Sequence, residues 1–171
     1  MRRRADVAPK GARSYGIVDS DVDLHDPRQR AETSPHEWRL LAAIAVGGVL
    51  GAEARYGLDL AIPHPLGAFA WSTLLTNVIG CLLIGVLMVV LTEVVTPHRL
   101  ARPFLGTGVL GGFTTFSTFA VDTHRLLVEH RLLVALGYGA LSLAGCLVAV
   151  AAGVLLSRRL LVGHRPAGVR R

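Results

Sequence analysis

Four long apolar segments with short polar connections make up most of the chain after residue 39. They run from about residues 40–60, 71–95, 103–127 and 132–156. Each is close to the ~20 residues that a helix needs to cross ~30 Å of hydrocarbon. The pattern predicts an all-α integral membrane protein with four transmembrane helices. Such a chain leaves no room for a soluble catalytic domain, so we expect no enzyme.

The third segment has a polar centre, GGFTTFSTF at residues 111–119. Glycine costs a helix about 1 kcal/mol relative to alanine, and threonine and serine can bond to nearby backbone groups. Irregular backbone is tolerated inside a membrane only where protein or water satisfies it. We therefore expect a third helix that is broken near the midplane. Its exposed carbonyl groups suit a cation, and its exposed amide groups suit an anion.

Polar residues in the other segments could face the same region. Asn77 follows Thr73 by four residues and shares its helical face. Its amide can donate two hydrogen bonds, which suits an anion, or it can cap a neighbouring backbone group. Tyr138 and Ser142 also share a face, either beside an ion path or in interhelical hydrogen bonds. Polar groups at this depth usually face a protein interior or an aqueous path.

Aromatic and charged residues leave further alternatives open. Three interpretations remain open for Phe116 and Phe119. They pack in the core, they face lipid, or they present their electropositive ring edges to an anion path. Arg55 is interpreted as an anchor that extends to the membrane interface. The Cys81 and Cys146 thiols are interpreted as small buried hydrophobic groups.

Composition and charge support the membrane interpretation. Hydrophobic residues make up 51% of the chain, and the mean hydropathy is +0.49. The net charge of +6 comes mainly from the ends, so it does not indicate a nucleic-acid face. Residues 1–39 are interpreted as a disordered polar tail without a signal peptide, residues 40–157 as the membrane domain, and residues 158–171 as a basic tail.

Three stretches carry a family resemblance: GAEARYGL at 51–58, TLLTNVIGCLLIG at 73–85 and GTGVLGGFTTFSTF at 106–119. They resemble the signatures of the Fluc/CrcB fluoride channel family, and the similarity covers roughly residues 40–157. The resemblance implies a fluoride-selective channel in the bacterial inner membrane that releases fluoride from the cytoplasm and lowers its toxicity. It also implies an antiparallel dimer surrounded by membrane lipid, with a structural sodium ion at its centre.

The resemblance assigns roles by motif position. The sodium ion would be held by the backbone carbonyls of Gly111 and Thr114, and Arg55 matches the arginine of the first signature. The fluoride pathway would be lined by Asn77, Phe116, Phe119, Ser117, Thr118, Tyr138 and Ser142.

Two other function classes compete with the channel. A small four-helix multidrug exporter driven by protons needs a membrane-embedded carboxylate. Glu53 is the candidate in the first segment, but it lies near the segment's end and beside Arg55. A structural subunit that transports nothing is the third hypothesis.

Arginines near the spans are distributed unevenly between the two sides. Ten lie on the side of the termini and two, Arg125 and Arg131, on the other. The ten are Arg28, Arg30, Arg39, Arg99, Arg102, Arg158, Arg159, Arg165, Arg170 and Arg171. The positive-inside rule then predicts a single orientation. Our hypothesis is that the chain pairs with an oppositely oriented paralogue as a heterodimer.

We predict that both termini lie in the cytoplasm when the chain is expressed alone, because the arginine bias opposes the inverted insertion. Reporter tags that are active on only one side of the membrane, fused in turn to each terminus, measure this orientation. Comparable amounts of both orientations would contradict the prediction and favour a homodimer.

Overall fold

The computed structural model describes residues 35–65 and 67–162. Its helices are α1 (Pro35–Ala61), α2 (Trp71–Val89) with a π-helical extension (Val90–Val94), a π-helical segment (Pro103–Leu110) that runs into α3 (Gly111–Phe113), α4 (Ser117–Val128), and α5 (Leu132–Ser157) with a π-helical end (Arg158–Val162). Four spans are long and apolar enough to cross a membrane: Trp38–Ala61, Trp71–Val94, Pro103–Val128 and Leu132–Leu161. The predicted all-α fold with four membrane helices is confirmed.

The first helix begins ahead of its predicted start at residue 40. Helix α1 starts at Pro35, and proline is well tolerated in the first helical turn, where its missing N–H would have no partner. The predicted disordered tail therefore overlaps helical residues at 35–39. The rest of that tail, residues 1–34, lies outside the described residues, as do residues 163–171 of the basic tail.

The packing places small and polar residues inside and large apolar residues outside. Ser72, Thr76 and Asp122 are buried, whereas Leu133 and Val148 are among the most exposed side chains. In water this arrangement would be unstable. In a bilayer it is expected, because lipid solvates the apolar faces and helices associate through small residues and internal hydrogen bonds. The distribution of burial thus agrees with the membrane interpretation.

Helix α1 packs against residues 103–113, which we call the first half-helix. Gly47 lies against Gly108, and Gly51 lies against the backbone of Val109. Gly112 in turn lies against the backbone of Gly48, so two GxxxG motifs face each other without side chains between them. This contact holds the first half-helix close to α1, directly before the polar centre of the span.

Helices α2 and α5 run parallel and also meet at glycines. Gly85 lies against the carbonyl group of Val150, and Gly153 lies against the backbone of α2 near Leu82. A Cβ atom on Gly145 would be 3.2 Å from the Cγ2 atom of Val78. These contacts fix the register of the two helices.

Polar contacts join the connections at each end of the bundle. At the end away from the termini, Arg131 Nη1 donates a 2.7 Å hydrogen bond to the carbonyl oxygen of Gly67. At the other end, Arg158 Nη2 lies 2.7 Å from Glu93 Oε1, and Arg102 Nη2 donates to the carbonyl of Leu91 at 3.1 Å. The loops therefore add links between spans that are distant in sequence.

We predict that Gly51→Ala destabilises the protein by about 1–3 kcal/mol, the usual cost of overpacking. The added Cβ atom would overlap the carbonyl oxygen of Val109, and a helix backbone cannot move aside easily. Thermal unfolding in detergent measures the effect. Gly57→Ala is the matched control, since a Cβ atom on Gly57 meets nothing within 4 Å. Equal unfolding temperatures for the two variants would contradict the prediction.

Candidate ion path at the interrupted third span

Helical structure in the third span stops at Phe113 and resumes at Ser117. Thr114 has an extended backbone, with φ −74° and ψ 156°. Regular hydrogen bonding starts again where the N–H of Ala120 donates to the carbonyl of Phe116 at 2.9 Å. The second half-helix, α4 (Ser117–Val128), continues to the end of the span.

The side chain of Asn77 satisfies the backbone at this interruption. Its Nδ2 atom donates to the carbonyl oxygen of Thr115 at 2.9 Å, and its Oδ1 atom accepts from the N–H of Thr115 at 2.8 Å. The amide thus replaces both helical partners that Thr115 has lost. Because an unsatisfied peptide group in hydrocarbon costs several kcal/mol, this pair allows the interruption to exist. Of the two roles that the sequence left open for Asn77, the structure shows the backbone cap.

The same interruption leaves two carbonyl groups without helical donors. In a continuous helix the N–H of Thr115 would donate to Gly111, but here it donates to Asn77. The N–H of Thr118 donates to Oγ1 of Thr115 at 3.2 Å instead of to the carbonyl of Thr114. Within the described residues, neither the Gly111 nor the Thr114 carbonyl has another backbone donor. These are the two carbonyls that the family resemblance assigns to sodium.

The Thr115 hydroxyl group links the start of the second half-helix. Its Oγ1 atom donates to Oγ1 of Thr118 at 3.1 Å and lies 3.2 Å from Oγ of Ser117. Ser117 and Thr118, both expected beside the ion path, are exposed on the surface of the chain. Thr115 itself is buried, and it is not among the site residues predicted from the sequence.

A groove of about 470 Å³ runs along the interruption. It brings together four residues of the expected pathway and both residues assigned to sodium. These are Asn77, Phe116, Phe119, Ser142, Gly111 and Thr114. The rest of its lining is largely apolar and includes Gly106, Gly139, Cys81 and Cys146.

Aromatic rings flank the groove. The centroids of Phe116 and Phe119 are 5.8 Å apart, and the Phe119 ring also lies 5.2 Å from the ring of Tyr138. Phe116 is 79% exposed, so nothing in the described chain covers it. Tyr138 is fully buried behind Phe119, beside Thr73 and Asp122, and does not line the groove. The Tyr138 and Ser142 hydroxyl oxygens have no hydrogen-bond partner within the described residues.

A second, more polar cavity of about 190 Å³ lies on the other side of Thr115. Arg55 lines it together with Asp59 from the end of α1, Thr73 and Thr76 from α2, and Thr118. Arg55 therefore faces a polar space between helices, which it shares with the carboxylate of Asp59. The interpretation of Arg55 as an interface anchor stays a prediction.

Asp122 is a buried carboxylate that the sequence analysis missed. It is 5% exposed, and its Oδ2 atom accepts a 2.9 Å hydrogen bond from Oγ1 of Thr73. His64 Nε2 and Arg125 Nη1 lie 3.9 and 3.8 Å from its Oδ1 atom. The sequence did contain a signal for it, because Asp122 is a charged residue inside a predicted membrane span, and such residues are rare and usually functional.

The fold and this site define a class: a small multi-pass membrane protein whose interrupted helix borders a groove suited to an ion. The family model for CrcB-like proteins (camphor resistance, CrcB) matches residues 42–154. The chain belongs to this family.

Curated relatives agree with the family match. The chain is 49% identical over 135 residues to "Fluoride-specific ion channel FluC 1" of Streptomyces coelicolor, covering 77% of this chain and 88% of the relative. It is 46% identical over 149 residues to "Fluoride-specific ion channel FluC 2" of Streptomyces avermitilis, covering 87% and 94%. A third relative, "Fluoride-specific ion channel FluC 2" of Thermobifida fusca, is 52% identical over 115 residues, covering 67% and 85%. With four spans, the chain is a multi-pass protein of the bacterial cell membrane.

We predict that Asn77→Asp destabilises the protein by about 1–3 kcal/mol at neutral pH. A carboxylate keeps the acceptor for the N–H of Thr115 but places an oxygen against its carbonyl oxygen, where Nδ2 now donates. Protonation restores a donor, so stability of the variant should recover as the pH falls. Unfolding in detergent across a pH series, with the wild type as control, measures this. A variant that is as stable as the wild type at neutral pH would contradict the backbone-cap role.

Proposed function

We propose that this chain is the subunit of a fluoride-selective channel that releases fluoride from the cytoplasm. The observation that carries the proposal is the groove, which gathers Asn77, Phe116, Phe119 and Ser142 along the interrupted span. Membership of the CrcB family and the fluoride channel names of its relatives support the same ion.

The chemistry of the groove fits a small, strongly hydrated anion. Aromatic ring edges and hydroxyl hydrogens offer weak positive potential without the tight binding that would trap an ion. The N-terminal end of the second half-helix, at Ser117, adds the positive end of a helix dipole. The Ser142 hydroxyl group is on a residue that lines the groove and has no hydrogen-bond partner within the described residues.

A second subunit is proposed to cover the groove. Gly106, Gly111 and Gly139 line the groove, yet a Cβ atom on Gly106 or Gly139 would meet nothing within 4 Å. On Gly111 the nearest atom would be the carbonyl oxygen of Gly106, at 3.9 Å. Packing among the described residues does not require glycine at these places. Close approach by another helix does, and an antiparallel dimer would supply one.

Sodium is proposed to lie between the two subunits. The freed carbonyl groups of Gly111 and Thr114 line the groove, and hard cations prefer oxygen ligands of this kind. Two carbonyls are too few for a closed site, so a second subunit would have to contribute further oxygens. When bound, the ion would offset the partial negative charge of the carbonyls. In this chain, Asn77 and Thr115 Oγ1 leave both carbonyl groups available, because they bind the N–H groups that would donate to those carbonyls in a continuous helix.

The dimer is proposed to be a heterodimer, since the arginine bias favours one orientation of this chain. The numbered relatives "FluC 2" and "FluC 3" of Streptomyces avermitilis indicate that one organism can encode more than one such protein. An oppositely biased partner would supply the inverted subunit.

The exporter alternative finds no support. Glu53 is exposed on α1 and lines neither cavity described above. Asp122 is membrane-embedded, but it accepts a hydrogen bond from Thr73 and lines neither cavity. A carrier would need a carboxylate that an organic cation can reach.

We predict that liposomes containing the purified chain release fluoride much faster than chloride, as measured with ion-selective electrodes. Detergent reconstitution inserts chains in both directions, so antiparallel pairs can form regardless of the arginine bias. Phe116→Leu and Phe119→Leu should each reduce fluoride release at least about tenfold, because they remove ring edges but keep apolar bulk. Phe104→Leu, outside the groove, is the matched control.

Chemical crosslinking of the same liposomes shows whether dimers are present. Crosslinked dimers without fluoride-selective release would contradict the proposed function. A large loss of release in Phe104→Leu, equal to that of the groove variants, would contradict the assignment of the path.

A further inference from the structure

The chain's two cysteines lie side by side in the groove, although they are 65 positions apart in sequence. Cys81 is on α2 and Cys146 is on α5, and both are half-buried with free thiol groups. Both line the groove of about 470 Å³. The chain has no other cysteine.

The register of α2 and α5 explains this pairing. Gly85 lies against the carbonyl of Val150. The two helices are parallel. Moving four residues, about one turn, towards the N-terminus on each helix therefore leads from that contact to Cys81 and Cys146. Backbones brought together by glycine leave two short side chains facing each other across a narrow gap. The pair is therefore held by the helix packing and not by a flexible loop.

The geometry points to a two-thiol binding site for a soft d¹⁰ cation, such as Hg²⁺, Ag⁺ or Cu⁺, formed by Cys81 and Cys146. Thiolates select ions of this kind, which accept linear coordination by two sulfur atoms. Binding Hg²⁺ breaks two S–H bonds and forms two S–Hg bonds. Two protons leave to water, and no atom is oxidised or reduced.

The site would lie beside the proposed fluoride path. Cys81 follows Asn77 by four residues and Cys146 follows Ser142 by four, so the thiols lie about 6 Å further along the same faces. A cation bound there would occupy the groove next to the Asn77 and Ser142 side chains and obstruct fluoride. The obstruction of fluoride by the bound cation depends on the proposed function, whereas the binding site itself does not.

Binding is tested first, without transport. The full-length chain in detergent is reduced, desalted and titrated with mercuric nitrate, and intact mass and free thiols are measured. We expect one mercury per chain, a mass gain of one mercury less two hydrogens, and loss of both free thiols. Cys81→Ser and Cys146→Ser should release mercury to glutathione at least about tenfold faster than the wild type, because one thiol remains. Two mercury atoms per chain, or equal retention by the single variants, would overturn the site.

Transport is tested second, in liposomes. One equivalent of Hg²⁺ should slow fluoride release at least about tenfold in the wild type, and a dithiol reductant should restore it. The Cys81→Ser/Cys146→Ser double variant, compared with its own rate before mercury is added, should show no slowing of fluoride release. Equal block of the double variant, or no block of the wild type with mercury bound, would overturn the placement beside the path. A wild type that conducts no fluoride would count against the channel, while the mass measurement still decides the binding site.

Discussion

The paired hydrogen bonds between Asn77 and the peptide group of Thr115 are the constraint on which the rest of the structure depends. A membrane helix cannot be interrupted unless its freed backbone groups find partners, because lipid offers none. One side-chain amide supplies both a donor and an acceptor, at 2.9 and 2.8 Å. It does so from a different helix, so the interruption also fixes the third span against α2. Local backbone geometry and helix packing are thereby determined together.

The two halves of the interrupted span are held in place by different kinds of contact. The first half-helix is held against α1 by Gly47, Gly51 and Gly112, which permit close backbone approach. The second half-helix is joined to α2 by polar contacts, above all between Asp122 and Thr73. An apolar contact alone would gain little in lipid, where the surroundings are equally apolar. Close packing on one side and hydrogen bonding on the other are the two interactions that remain effective there.

The sequence predicted the four spans and the region of the polar centre, because apolar length and the glycine and threonine content at 111–118 are local signals. It could not choose between the two roles of Asn77, since that choice depends on which helix lies opposite. The pairing of Cys81 with Cys146 was missed for the same reason, as it follows from the register of two helices. Asp122 is different: its position inside a span was readable and was overlooked. The roles of the individual path residues remain predictions.

A single interruption can present opposite partial charges a few residues apart. The carbonyls of Gly111 and Thr114 end the first half-helix, and the backbone N–H groups near Ser117 begin the second. The two ends would attract each other and re-form a continuous helix if their groups could pair. Asn77 and the Thr115 hydroxyl prevent this by occupying the N–H groups that the carbonyls would otherwise use. The proposed sodium site and the proposed anion path therefore share one physical origin, and a change at Asn77 should affect both.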